Sequence, residues 1–414
     1  MILRARVVLP ISRPPIDDGA VLIAGNRITQ VGPWKDFSAG PADNLIDLGE
    51  TILMPGLINA HCHLDYTDMA GLMPPQKKFT DWIRLMLAAK AEWNYSEFAE
   101  SWIRGAHMLL QTGATTVVDF ETVPELLPDV WSATPLRVIS LLEMTGVKSR
   151  RDPRAILQDN IDHIRTLPGG RCRPGLAPHA PYSTAPELLR LTAETARRRR
   201  WPLSIHVAES AQEFEMFMHG RGAMFDWLQR NQREMSDCGL GSPIKHLDRS
   251  GALGDNCLAV HVNYLAEGDA RLLARRKTSV VHCPRSHIYF SHDEFPINQF
   301  ARARVNLCLG TDSLATVYKR PRQTVELSLF AEMQAFASNH PALSPETILK
   351  MATINGARAL GMAGQTGEIS DKALADLISL PFNGRFADAT EAALNYPGHV
   401  AASLIDGEWA IAPL

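Results

Sequence analysis

The chain has 414 residues, 45% of them hydrophobic and 21% charged, with a net charge of −3 and a pI near 6.5. That composition fits a folded protein with a large core and gives no electrostatic drive toward nucleic acid or a membrane surface. No apolar stretch approaches eighteen residues, and the first segment, MILRARVVLPISRPP, has no long apolar run, so neither a signal peptide nor a membrane span is expected.

Residues 1–50 read as short strands with turns. Ala20–Ile23 and Arg27–Val31 flank Gly25-Asn26, a hairpin signal. From about residue 52 the texture changes to apolar, β-branched runs alternating with amphipathic helical segments. The first strand is read as 52–60, followed by helices over 79–92 and 95–112. Further strands begin near Ala114, Arg137, Arg173, Leu203, Leu258, Thr278 and Asn306. Eight βα units imply a parallel sheet closed on itself, an α/β fold of the (β/α)8 barrel type. Helices are predicted over 322–339 and 345–362, the second with Ser344 as N-cap. Short strands return in the tail, around 377–380 and 400–405. The expected organisation is a small β-sandwich built from 1–51 plus 365–414, flanking a barrel over 52–364.

The run RRRR (197–200) ends a helical stretch and reads as a solvated helix C-terminus favoured by the dipole. Six cysteines (Cys62, Cys172, Cys238, Cys257, Cys283 and Cys308) form no CxxC pair, which points to reduced thiols and a cytoplasmic protein.

Barrel enzymes carry their chemistry at the C-terminal strand ends. Here those ends hold His61 and His63, His179, His206 with Glu209, His261, His282 with His287, and Asp312. Chance does not easily place seven histidines there beside two carboxylates. His61 and His63, two apart on a strand, point to the same side. Three histidines and a carboxylate suit one divalent cation, Zn²⁺ or, as the alternative, Fe²⁺, with a place left for water. The fourth strand lacks a lysine that could be carbamylated to bridge two metals.

Taken in order, PGLINAHCH, HxxE at 206–209, His261, HCPRSH and GTDS resemble the amidohydrolase superfamily. Within it they are similar to the mononuclear branch of cytosine, adenosine-type and guanine deaminases and triazine hydrolases. The resemblance implies His61, His63, His206 and Asp312 as metal ligands, Glu209 as acid/base, His261 as the polarising residue, and a second, proton-handling role for Asp312. NAHCHLDYTDMAG, FTDWI and CPRSHIYF further resemble the aminodeoxyfutalosine deaminases of the futalosine route to menaquinone. The expected reaction is removal of an exocyclic purine amine as ammonia. Deamination of guanine, methylthioadenosine or another purine or pyrimidine, a triazine-type chlorohydrolase or amidine hydrolase, and a non-catalytic scaffold are the alternatives. His179, Trp82, Glu143, Ser286 and His287 are candidate substrate contacts, and Arg150, Arg151 or Arg285 would meet a substrate carboxylate. Partners are expected to be a small-molecule substrate and further copies of the chain, as a homodimer or larger homo-oligomer.

Overall fold

A computed structural model describes residues 1–38, 44–147 and 152–413. Eight parallel strands form the barrel: β1 (Leu57–Cys62), β2 (Ala114–Glu121), β3 (Arg137–Met144), β4 (Arg173–Pro178), β5 (Leu203–Val207), β6 (Cys257–His261), β7 (Ser279–His282) and β8 (Leu307–Leu309). Their order in the sheet is their order in the chain. Closure between β8 and β1 comes just past β8, where the Thr311 and Asp312 amides donate to the His61 carbonyl of β1 at 3.0 and 3.2 Å. Glycine is required there: a Cβ on Gly310 would stand 2.8 Å from both Cβ and O of His61. Ile58, Ala60, Val118, Phe120, Leu141 and Val260 help fill the barrel interior, so it is a packed core rather than a pore.

The predicted first strand is in fact two. Thr51–Pro55 pairs with Leu377–Pro381 and with the amino-terminal strand Ile2–Val8, in a separate sheet built from both ends of the chain. The break falls at Gly56, whose amide donates to the Asp376 carbonyl and where a Cβ would overlap Thr115. This terminal sheet has its own core, including Leu3, Val21, Ile28, Leu53, Ile369 and Leu404. Its hairpin turn at Gly25-Asn26 forms where the sequence signals it, and a second hairpin turns at Asp406-Gly407.

Two predicted helices are shorter than expected. The first spans only Leu329–Asn339, capped by Ser328; before it the chain turns, with Arg322 at φ +66°. The second splits into Pro345–Met351 and Ile354–Ala359. At the break the Ala352 carbonyl leaves helical pairing and accepts the Ile58 amide at 2.8 Å, so a barrel contact replaces a helix hydrogen bond. The arginine run behaves as expected, with Arg200 capping helix Pro186–Arg199 in the left-handed conformation. All six cysteines are free. Among the described residues, no helix is long and apolar enough to cross a membrane.

Candidate active site

Three imidazoles converge at the C-terminal end of the barrel. His61, His63 and His206 are buried, with one nitrogen of each within 4.8 Å of the others. His63 Nε2 and His206 Nε2 lie 3.3 Å apart. Neither nitrogen of His61 has a hydrogen-bond partner among the described residues, although the residue has no exposed surface. Leaving such polar atoms unpaired is costly, so the donor set has the character of a cation site.

Local structure aims these rings. His206 Nδ1 lies 2.9 Å from the His179 carbonyl, so the proton sits on Nδ1 and the Nε2 lone pair faces the cluster. His63 is steadied from behind. Asp119 accepts the Leu64 amide at 3.0 Å and the Trp102 indole N–H at 2.9 Å, and the Tyr66 ring stacks on the His63 ring. Burial and the neighbouring histidines hold His63 and His206 well below the usual imidazole range, so both are neutral and able to ligate.

Asp312 completes the group. Its Oδ1 stands 3.6 Å from His61 Nε2 and 3.7 Å from His63 Nε2. Its other oxygen accepts from Ser286 Oγ at 2.7 Å and Thr316 Oγ1 at 3.1 Å. Burial would raise this carboxyl, but the facing His61, His261 and His63 more than offset it and hold it well below the ordinary carboxylate range. Glu209 is the opposite case. Burial first, then the charge of Asp312 and, once it ionises, that of Glu213, push its carboxyl well above the ordinary range. Its Oε1 lies 3.6 Å from Nε2 of His261, whose pKa burial lowers to about 3. That contact therefore joins a protonated carboxyl to a neutral imidazole rather than two ions.

The turns carrying these groups are strained. Ala208, His261, Val262 and Asp312 all have φ between +48° and +71°, a costly region for side-chain-bearing residues. Hydrogen bonds lock them: Val262 N–H to Val207 O, Asn263 N–H to Ala208 O, and Asp312 N–H to His61 O.

A cavity of about 390 Å³ opens onto the cluster. His63, His206, Glu209, His261 and Asp312 line its floor, and Phe79, Trp82, Met86 and Trp227 its apolar wall. Of the candidate substrate contacts, His179, Trp82 and Glu143 line it. His179 Nδ1 is 2.6 Å from Ser183 Oγ, and the buried Trp82 Nε1 has no hydrogen-bond partner among the described residues. Ser286 and His287 are not brought to the cavity. Ser286 spends its hydroxyl on Asp312, and His287 lines a separate cleft with His282, His292 and His340. Arg285 is committed to Glu332 (2.5 Å) and the Glu326 carbonyl (3.0 Å). Arg150 and Arg151 lie outside the described residues.

Sequence reasoning missed Lys90, the cavity's one lysine or arginine among the described residues. Its ammonium donates to Tyr66 Oη and lies over that ring. Lys90 sits on a correctly predicted helix, but nothing in that helix's pattern separates it from a surface lysine. It also missed Asn263, visible only as part of HVNY after the sixth strand.

The eight-stranded barrel carries, at its C-terminal end, a histidine–carboxylate cluster able to hold a divalent cation. The amidohydrolase family model matches residues 52–410, and the chain belongs to that family, hydrolases acting on C–N bonds. A 5-methylthioadenosine/S-adenosylhomocysteine deaminase of Syntrophobacter fumaroxidans is 31% identical over 385 residues, covering 88% of this chain and 80% of the relative. The Helicobacter pylori aminofutalosine deaminase, in complex with methylthio-coformycin, superposes with a TM-score of 0.86 at 21% identity, covering 99% of both chains. Atrazine chlorohydrolase from Arthrobacter aurescens, complexed with zinc, gives 0.83 at 20% identity over 99% of this chain and 94% of that one. These two solved structures establish likeness of fold.

Proposed function

We propose that this chain is a metal-dependent aminohydrolase of adenine-type nucleosides, replacing the 6-amino group by oxygen and releasing ammonia. One observation carries the reading: a single cavity floor holds two carboxyls, Asp312 with Oδ1 facing His61 and His63 at 3.6 and 3.7 Å, and Glu209 with Oε1 3.6 Å from His261 Nε2. Two carboxyls with opposed pKa values are the acid and base that a hydrolytic deamination needs. The 31%-identical deaminase of methylthioadenosine and S-adenosylhomocysteine supports the substrate class.

His61, His63 and His206 would hold one divalent cation, Zn²⁺ or Fe²⁺, beside Asp312. Such a cation supplies activation of water at neutral pH. Glu209 passes its proton to the ring nitrogen next to the amine-bearing carbon, which makes that carbon more electrophilic. His261 orients and polarises the incoming oxygen. Asp312 Oδ1, the oxygen not taken by Ser286 and Thr316, collects the water's proton and passes it to the leaving amine; as the C–N bond breaks, the proton of the added hydroxyl returns to Glu209. Trp82 and Phe79 offer flat apolar surface to the base. Glu143, which has no hydrogen-bond or ion-pair partner among the described residues, accepts from the ribose hydroxyls.

Within this class our best substrate is 6-amino-6-deoxyfutalosine, giving futalosine in the route to menaquinone. The aromatic wall suits its aryl tail, and Lys90 is a cation within the same cavity. The test is ammonia release by zinc-loaded protein from aminodeoxyfutalosine, adenosine, methylthioadenosine, S-adenosylhomocysteine, guanine, cytosine and a chlorotriazine. Ammonia from a purine nucleoside is expected. Release from guanine alone, or chloride from the triazine alone, would overturn the nucleoside reading.

A further inference from the structure

Glu209 stands on a short turn after β5, and no strand partner holds its peptide groups. Its amide donates to Glu213 Oε2 at 3.0 Å, and its carbonyl accepts from Asn263 Nδ2 at 2.9 Å. Asn263 is buried, and its backbone amide is tied to Ala208. The other end of its carboxamide, Oδ1, lies 3.1 Å from His287 Nδ1. A carboxamide can flip, exchanging its oxygen and nitrogen. Flipped, Asn263 would set its oxygen against the Glu209 carbonyl, and two acceptors would face each other. Because the Glu209 carbonyl can only accept, Asn263 turns Nδ2 toward it and Oδ1 toward His287, which assigns the proton of that contact to His287 Nδ1.

His287 reaches that position from outside the catalytic cavity. It lies on the short helix Pro284–Tyr289 and opens onto the cleft of about 400 Å³ that it shares with His282, His292 and His340. It touches neither the substrate cavity nor the three clustered imidazoles through any hydrogen bond.

We propose that His287 is a positioning residue for the reaction: through Asn263 it sets where the Glu209 carboxyl stands. This rests on the reading of Glu209 as the proton donor. The bond chain His287 Nδ1–H to Asn263 Oδ1, then Asn263 Nδ2–H to Glu209 O, is the whole device. Asparagine at 287 keeps it, because the asparagine Nδ2 lies as many bonds from the backbone as the histidine Nδ1 and also donates.

The experiment compares His287→Ala, His287→Asn, Asn263→Ala and the Asn263→Ala/His287→Ala double variant as zinc-loaded full chains. On whichever purine nucleoside the native chain deaminates, His287→Ala should lower kcat about ten- to hundredfold, the scale of a misplaced catalytic group. KM and bound zinc should stay within about twofold, while His287→Asn recovers most of the rate. The double variant should be no slower than Asn263→Ala alone, because both act through one bond chain. An unchanged kcat in His287→Ala, equal losses in the Ala and Asn variants, or losses that multiply in the double would each overturn the proposal. A crystal structure of His287→Ala tests it without any activity. Asn263 should have left the Glu209 carbonyl, and an unmoved Asn263–Glu209 contact refutes the role even if the deaminase reading has failed on its own panel.

Discussion

Ser286 Oγ donates to Asp312 Oδ2 at 2.7 Å, and this contact decides which oxygen of the carboxylate faces the histidines. With Thr316 on the same oxygen, Oδ1 alone is left toward His61 and His63. Ser286→Ala should loosen that aim without emptying the site, since Thr316 remains. Partners that orient a ligand typically carry about 10- to 100-fold of affinity or activity. Turnover should fall by that range, and zinc should be lost faster on dialysis, as read by metal analysis. Unchanged turnover and zinc retention would show the hydroxyl to be dispensable.

Glu209→Gln keeps the volume and removes the proton. Because Glu209 is not one of the three clustered imidazoles, zinc content should match the native chain while turnover drops about 10²- to 10⁴-fold. A variant with near-native turnover would remove Glu209 from the mechanism.

Glu213 has a pH signature of its own. Burial raises its pKa to about 8 from an ordinary 4.5, while its Oε2 accepts the Glu209 amide. Between those values the folded chain keeps a proton that the unfolded chain releases. Stability from this group is therefore full below the unfolded value and declines as pH rises toward 8. Glu213→Gln removes the titration and keeps an acceptor for the Glu209 amide. The variant's denaturation midpoint should fall less steeply between pH 5 and 8, and the variant should be the more stable chain at pH 8. Parallel curves for the two proteins would contradict the assignment.

Arg137 ties the terminal sheet to the barrel at the end away from the site. From the start of β3 it reaches Asp376 at 3.1 Å and Asp406 at 2.7 Å, and the Asp406 amide donates to Asp376 at 2.8 Å. Removing one member of a buried ion pair strands the other, at a cost of about 3–5 kcal/mol. Arg137→Ala should show that loss in a denaturant titration, with KM unchanged on the active substrate. A loss below about 1 kcal/mol would mean that the carboxylates find water or protonate instead.

Where the histidines fall was legible without a structure, because strand ends are marked by the close of an apolar run. His61, His63, His206, Glu209, His261 and Asp312 stand at such ends; the fold brings five of them to one cavity floor and sets the buried His61 beneath it, against His63 and His206. His282 and His287 follow the same rule and still miss the cavity. The His282 ring stacks on Phe295 at 3.7 Å between centroids, and the His287 ring turns to Asn263. Position along a strand predicts the end of the barrel a residue reaches, but not the side to which its ring rotates.

The order of apolar runs and breaks determined the barrel, the terminal sheet, the hairpin turns and the residues at the catalytic rim. All of these depend on local periodicity and on residues near one another in the chain. The tertiary structure alone decided the rest. It split the first strand at Gly56, where the chain passes against Thr115, and broke the helix after Met351, where Ala352 bonds to Ile58. It turned Ser286 from substrate toward Asp312, brought Lys90 to the cavity, and joined His287 to Glu209 through Asn263. Each of these contacts joins residues far apart in the chain, and packing selects such contacts only once the barrel has closed.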